Sequence, residues 1–335
     1  GKGISWVRGK DILDFLKNNQ ITPSAEKGTV VQKNILEAHA AHILSFADIS
    51  KIKPLKIVID AGNGMAGIMI PILEKYLPVK IVPLFFELDG NFPNHPSNPL
   101  DSESQTAISK KIIEEFADLG VIFDGDSDRM FLYDEKGNFI RADITLLIIA
   151  KSILKSHPGM GIGYSLNCSR VVPQKIKEMG GIPLRAAVGY VNVSTELKKH
   201  NGIFGGELSA HYSYKDNFYA DSGYVSFLKI LETLSLDTQK LSELVEEYGI
   251  YSSSGEINFK IPREKIPMVI QEIKEKYADG AQDELDGLTV EYPDWWFLVR
   301  PSNTEPLLRL SAEANTKGLL EEKVKELSEF IIGHS

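Results

Sequence analysis

Hydrophobic and polar positions fall into alternating blocks along most of this 335-residue chain. Leu55-Lys56-Ile57-Val58-Ile59 is an apolar run of strand length, and a glycine turn follows it. A helical pattern runs from there to about Tyr76, and Val79 to Leu84 reads as a second strand. A three-proline loop spans Gly90 to Asp101, then a helix covers Glu103 to Asp118 and a third strand covers Gly120 to Phe123. Strands alternating with helices predict a parallel sheet covered by helices. The same grammar restarts after the turn at Gly137. It gives helix 143–156, strand 160–165, helix 169–179, strand 182–186, helix 190–199 and strand 202–205, closed by helices near 221–235 and 238–248. Ser252-Ser253-Ser254-Gly255 marks a boundary. Beyond it come a strand, a helix over 263–278, strands 288–292, 296–300 and 307–312, and a helix to about 331, an α+β order. Upstream, residues 8–19 read as a short amphipathic helix (Ile12, Leu13, Phe15, Leu16), and Val31, Ile35, Ala38 and His42 recur at helical spacing over 29–47. The predicted fold is two mixed or parallel-sheet α/β domains, 35–141 and 142–250, then an α+β domain, 251–335.

Composition narrows this picture. Hydrophobic residues make up 43% and charged ones 25%, which excludes disordered, collagen-like and coiled-coil classes. Lys plus Arg is 37 against 46 Asp plus Glu, a net charge of −9 that points away from general nucleic-acid binding. The single cysteine, Cys168, excludes an intrachain disulfide and predicts a reducing, cytoplasmic setting. The apolar run Ile144 to Ala150 is far short of the roughly 20 residues that span a bilayer, so no membrane partner is expected. The first residues, Gly1 to Trp6, lack both a signal-peptide core and a Met, so the chain is expected to start inside a longer one. The pattern carries no signal for an oligomeric state.

Four loops carry candidate chemistry. Gly62-Asn63-Gly64-Met65-Ala66-Gly67 matches G-x-G-x-x-G between a strand and a helix, with Glu87 and Asp89 about 20 residues on. Asp60, however, puts a carboxylate where a dinucleotide pyrophosphate would sit, which favours a plain tight turn. Asp124-Gly125-Asp126-Ser127-Asp128-Arg129 places three carboxylates at alternate positions, all on one side if the segment is extended. Their repulsion calls for a hard cation with oxygen ligands. An EF-hand is disfavoured, because Arg129 stands where the loop needs glycine. Two readings stay open: a phosphatase with Asp124 as nucleophile, and a Mg²⁺ site neutralising a phosphoryl group, with Arg129 beside it. Gly206-Glu207-Leu208-Ser209-Ala210-His211 offers a carboxylate, a hydroxyl and an imidazole suited to sugar hydroxyls. Arg300-Pro301-Ser302-Asn303-Thr304-Glu305-Pro306, with Arg309 beyond, has the makings of an anion cradle. Each loop leaves a strand in a different predicted domain, so a cleft handling a sugar phosphate accounts for three of them together.

These three ordered loops, Asp124 to Arg129, Gly206 to His211 and Arg300 to Pro306, resemble those of the α-D-phosphohexomutase superfamily, bacterial phosphomannomutases and phosphoglucomutases in particular. Softer matches are Asp89-Gly-Asn-Phe-Pro-Asn94, Asp221-Ser-Gly223 and Ser254-Gly-Glu-Ile-Asn258. The resemblance implies a cleft between domains and a Mg²⁺-dependent transfer of phosphate between O6 and O1 of a hexose, mannose first, through a hexose 1,6-bisphosphate. It implies Asp124, Asp126 and Asp128 as metal ligands and Arg129 as the catalytic cation beside the transferring phosphoryl. It places Glu207, Ser209, His211 and Gly189 at the sugar, and Arg300, Ser302, Asn303, Thr304 and Arg309 at the non-transferring phosphate. The superfamily's phosphoserine donor loop, Thr-Ala-Ser-His-Asn-Pro, has no counterpart here, so the resemblance implies that residues 1–34 are a remnant of the first, phosphoserine domain and that the chain is inactive alone. Relatives commonly carry Lys where Ala187 stands and His where Tyr190 stands, which leaves a non-catalytic sugar-phosphate binder as the alternative.

Overall fold

The computed structural model describes residue 7 and residues 9–22, 24–302 and 305–333. Two helices, α1 (Gly9–Asn18) and α2 (Leu36–Leu44), precede a first unit of β1 (Lys56–Asp60), α3 (Ala66–Glu74), β2 (Lys80–Leu84), α4 (Ser102–Glu115), β3 (Leu119–Phe123), β4 (Met130–Tyr133) and β5 (Phe139–Ile140). The second unit comprises α5 (Ala142–Ser156), β6 (Gly161–Ser165), α6 (Val171–Glu178), β7 (Ile182–Ala186), α7 (Tyr190–His200), β8 (Phe204–Gly206), β9 (Tyr212–Tyr214), α8 (Gly223–Leu236) and α9 (Leu241–Tyr248). The third comprises β10 (Ser252–Lys260), α10 (Ile266–Lys276), β11 (Ala281–Asp283), β12 (Leu288–Glu291), β13 (Trp295–Pro301), β14 (Leu307–Ala314) and α11 (Lys317–Ile332).

The first sheet runs β2-β1-β3-β4-β5, with β1 parallel to β2 and β3, and with β4 and β5 antiparallel at the edge. The second runs β7-β6-β8-β9, parallel except for β9. The third, β10-β14-β13-β12-β11, is antiparallel throughout. The molecule is therefore two mixed α/β units followed by an α+β unit.

Three details depart from the hydrophobic pattern. Helical spacing from residue 29 yields a helix only from Leu36, since Val30 and Val31 stay exposed and a helix without tertiary contacts is marginal. The edge strands β5, β9 and β11 are only two or three residues long, and their identity comes from pairing rather than from a run of their own. The serine stretch expected as a boundary is itself the start of β10. A register shift between Ser253 and Glu256 carries Gly255 at φ 66°, and Ser254 Oγ accepts the Ala312 amide at 2.9 Å where the ladder is interrupted.

The first two units share one continuous core, with α5 and α8 buried nearly all round between them. Phe123 at the end of β3 meets Tyr224 and Phe227 of α8. The third unit has its own core around Phe297, Leu310, Ile273 and Leu327. It joins the second unit through an apolar contact of Leu166 with Trp296 and Leu298, packed by Ala187 and Val188, and through Arg170. The Arg170 amide donates to Glu313, and its guanidinium donates to the carbonyls of Tyr292, Pro293 and Trp295. Among the described residues no helix is long and apolar enough to cross a membrane.

Candidate functional site

The acidic loop leaves β3 and returns as β4. It is not extended: Ser127 sits at φ 65° and its amide donates to the Asp124 carbonyl, so the three carboxylates converge by curling rather than by strand alternation. One oxygen from each of Asp124, Asp126 and Asp128 lies within 4.8 Å of the others. Asp124 is buried and takes Arg129 Nε at 2.6 Å and the Arg129 amide at 3.2 Å. Burial nevertheless raises its pKa to about 6, against the pull of Arg129. Asp128 Oδ1 is buried with no hydrogen-bond partner among the described residues. An all-oxygen donor set of this kind, with one orphaned oxygen and a carboxyl held above its usual range, fits a hard divalent cation.

The glycine turn acts as a buttress for that loop. A Cβ on Gly64 would lie 2.5 Å from the Gly125 carbonyl oxygen, and the Met65 amide donates to that oxygen at 2.9 Å. Asp60 lies fully buried beneath the turn and accepts from Gly62. The glycines thus serve close packing against the acidic loop, as the tight-turn reading expects.

The second loop leaves β8 and returns as β9. Ala210 at φ 67° closes the turn, and Arg129 forms an isolated antiparallel bridge with His211. That bridge joins the two loops. Glu207 is buried; its carboxylate accepts from the Gly189 amide at 2.9 Å, from Ser209 Oγ and from His211 Nδ1 at 3.0 Å. On its other side, His211 Nε2 faces Asp128 at 3.5 Å and Asp221 at 4.0 Å. Desolvation disfavours the His211 cation, but Asp128 and Glu207 outweigh it and lift the pKa to about 9. The hydrogen bond from His211 in turn lowers the pKa of Asp128. Tyr190 stacks on His211 with ring centres 5.0 Å apart.

Arg300 and Arg309 are register partners on β13 and β14. Like charges directly opposite repel, and a bridging carboxylate relieves this: Glu256 reaches Arg300 Nη2 at 3.3 Å and Arg309 Nη1 at 3.1 Å. Arg300 is buried, and Arg309 Nε has no partner among the described residues. Ser302 is buried, with its hydroxyl accepting from the Glu305 amide. Asn303 and Thr304 lie outside the described residues.

A line of contacts connects the three clusters. Gly287 at φ 79° packs on Arg300, and its neighbour Asp286 accepts the Val188 amide at 3.1 Å. The next residue, Gly189, is bound by Glu207, which leads through His211 to Asp128. The structure thus brings the predicted metal and sugar residues into direct contact, and links the phosphate residues to them through Asp286 and Gly287. Asp221, Glu256 and Asp286 were not singled out for these roles. Asp221 and Glu256 lie inside the softer matches, but their parts depend on neighbours 10 to 93 residues away in the chain.

Three family models match the chain: phosphoglucomutase/phosphomannomutase alpha/beta/alpha domain II over residues 37–137, domain III over 141–251, and the C-terminal domain over 256–330. A phosphomannomutase of Vibrio cholerae is 35% identical over 341 residues, covering 98% of this chain and 73% of its own length. A phosphohexose mutase of Xanthomonas campestris is 37% identical over 302 residues, covering 88% of this chain and 66% of its own. Among solved structures, a phosphoglucomutase/phosphomannomutase family protein of Burkholderia thailandensis superposes with TM-score 0.82 at 30% identity, over 91% of this chain and 65% of that one. The chain thus spans about two thirds of the length of such relatives.

Proposed function

This chain belongs to the phosphoglucomutase/phosphomannomutase family, and we propose that it is the part of a magnesium-dependent hexose-phosphate mutase that holds the cation, the sugar and the non-transferring phosphate. The observation that carries this reading is the unbroken line of contacts from Asp128 through His211, Glu207, Gly189 and Asp286 to Arg300. It links the candidate cation site, the candidate hydroxyl-binding loop and the candidate anion cradle through consecutive contacts.

In this reading Asp124, Asp126 and Asp128 hold Mg²⁺, which supplies neutralisation of charge on a transferring phosphoryl group. Arg129, fixed by Asp124, presents its remaining guanidinium edge to the same phosphoryl. Glu207 and Ser209 accept and donate to sugar hydroxyls, and the imidazolium of His211 keeps both carboxylates beside it ionised. Arg300, Arg309, Ser302, Asn303 and Thr304 hold the second phosphate. Mannose phosphates are the first substrate choice, with a 1,6-bisphosphate as the intermediate that turns over. The described loops supply binding groups and no donor serine, so we assign them binding without turnover, and we assign residues 1–34 to a donor-bearing unit ahead of units at 35–141, 142–250 and 251–335.

The test has two parts. The intact parent should interconvert mannose 6-phosphate and mannose 1-phosphate, or the glucose pair, and the chain alone should bind mannose 6-phosphate in a calorimetric titration without converting it. Failure of the parent on both pairs would remove the mutase reading. A parent that binds but never converts would favour a sugar-phosphate-binding role. That role is motivated by Ala187, which packs with Leu166, Trp296 and Leu298 and offers no cation, and by Tyr190 over His211.

A further inference from the structure

In the first sheet β1 and β3 are neighbours, yet the chain visits β2 on the far side of β1 before returning to β3. The connections leaving the C-terminal ends of β1 and β3 part at such a point, and open α/β sheets seat ligands in the crevice between them. Here segment 91–98 of the chain itself lies over the crevice, and His95 roots it. The His95 ring is 3% exposed; Nε2 is 3.1 Å from Asp60 Oδ1 and Nδ1 is 2.7 Å from the Pro96 carbonyl oxygen. Both neighbours are acceptors, so each ring nitrogen needs its proton. Asp60 is fully buried at the end of β1; its Oδ1 also accepts the Gly62 amide at 2.8 Å, and Oδ2 has no hydrogen-bond partner among the described residues. A buried carboxylate with so few donors calls for a cation beside it. The hydrogen bond that His95 donates to Asp60 raises the His95 pKa against the opposing effect of burial.

What the root holds is the acidic loop. Phe92, in the left-handed region at φ 50°, lays Cζ 3.2 Å from where a Gly125 Cβ would stand, and Ser97 Cβ lies at 3.5 Å. A bulky residue keeps that backbone conformation only when its surroundings hold it there. Asn98 Oδ1 reaches Arg129 Nη1 at 3.5 Å. From the opposite side Gly64 and Met65 press on the Gly125 carbonyl. Gly125, between Asp124 and Asp126, is therefore gripped from both sides.

We propose that the buried His95–Asp60 ion pair is a clamp that presets the acidic loop for its cation. His95 and Asp60 are positioning residues that never touch the ion; they act through Phe92, Ser97 and Asn98. The proposal rests on the magnesium reading of the loop. A loop ordered in advance spares that ordering cost at binding, so loosening it weakens affinity.

The experiment uses the full 335-residue chain. Nitrogen-15 NMR at pH 7 should find both His95 ring nitrogens protonated; one bare nitrogen overturns the ion pair. His95→Ala should move the Gly125 amide resonance, as the Phe92 ring leaves it, and should weaken Mg²⁺ about tenfold by calorimetry, the scale of an outer-shell partner. Phe92→Ala keeps the ion pair but removes the ring from Gly125, so it should weaken Mg²⁺ by less; it decides the matter if His95→Ala does not fold. Unchanged Mg²⁺ affinity in a folded variant overturns the clamp. A wild-type chain that binds no Mg²⁺ overturns the cation reading instead, and the Gly125 resonance in His95→Ala then still decides whether the clamp grips the loop.

Discussion

The acidic loop and the arginine pair are both crowds of like charge, and they are relieved in opposite ways. Asp124, Asp126 and Asp128 crowd within five consecutive residues. Arg129 and His211 neutralise them only in part: Asp124 stays at about 6, and Asp128 Oδ1 lies 3.9 Å from Arg129 Nε with no hydrogen-bond partner among the described residues. Arg300 and Arg309 meet across two strands, and a third strand delivers Glu256 to both. The first cluster thus calls for an ion from outside. The second already carries a counter-charge in Glu256, which the proposed phosphate would have to displace or share. Local crowding is compact enough to coordinate a small cation, whereas cross-strand crowding spaces two guanidinium forks for a larger anion.

The largest expected effect tests the acidic half of that contrast. Asp126 is exposed, so Asp126→Ala should abolish Mg²⁺ binding in a calorimetric titration while changing stability by less than about 0.5 kcal/mol. Retained Mg²⁺ affinity would break the contrast, because the crowding of the three carboxylates would then not be what holds the ion.

A pH series gives the next effect, read as melting temperature in a metal chelator. The folded His211 pKa of about 9 lies above its ordinary 6.5, so its ion pairs stabilise fully below 6.5 and the gain is lost as pH rises through 9, on the order of 2 kcal/mol. Asp124, raised from 3.8 to about 6, acts in the same direction lower down: stability falls between those values as its buried carboxyl ionises. Mg²⁺ should remove the Asp124 step, and His211→Gln should remove the upper one. A curve that rises over both intervals would contradict both assignments.

The smallest effect sharpens the basic half. Glu256→Gln keeps the side-chain shape and removes the competing charge, so affinity for inorganic phosphate should rise by up to about fivefold, matching a partly exposed ion pair of about 1 kcal/mol or less. Weaker phosphate binding would show that Glu256 organises the arginines instead of competing for them.

Much of the architecture was legible because long elements carry their own period. The parallel strands β1, β3, β6 and β7 are buried or half-buried runs bounded by turns, and their positions follow from local pattern. Short edge strands and the curl at Ser127 were not legible, since both are decided by a partner strand or by a loop closing on itself. The acidic cluster was visible as a spacing. The bridging of Arg300 and Arg309 by Glu256 was not, because register between β10, β13 and β14 sets it.

The sequence by itself determined the three-unit order, the family resemblance and the residue types at each loop, since these reside in local period and in short ordered motifs. Only the tertiary structure decided that the first two units share one core, that the glycine turn buttresses Gly125, and that His95 pairs with Asp60. It also decided that Glu207 is held by Gly189, Ser209 and His211. The physical reason is the same in each case: burial, ion pairing and close backbone approach depend on which distant segments meet, and chain-local patterns do not encode that.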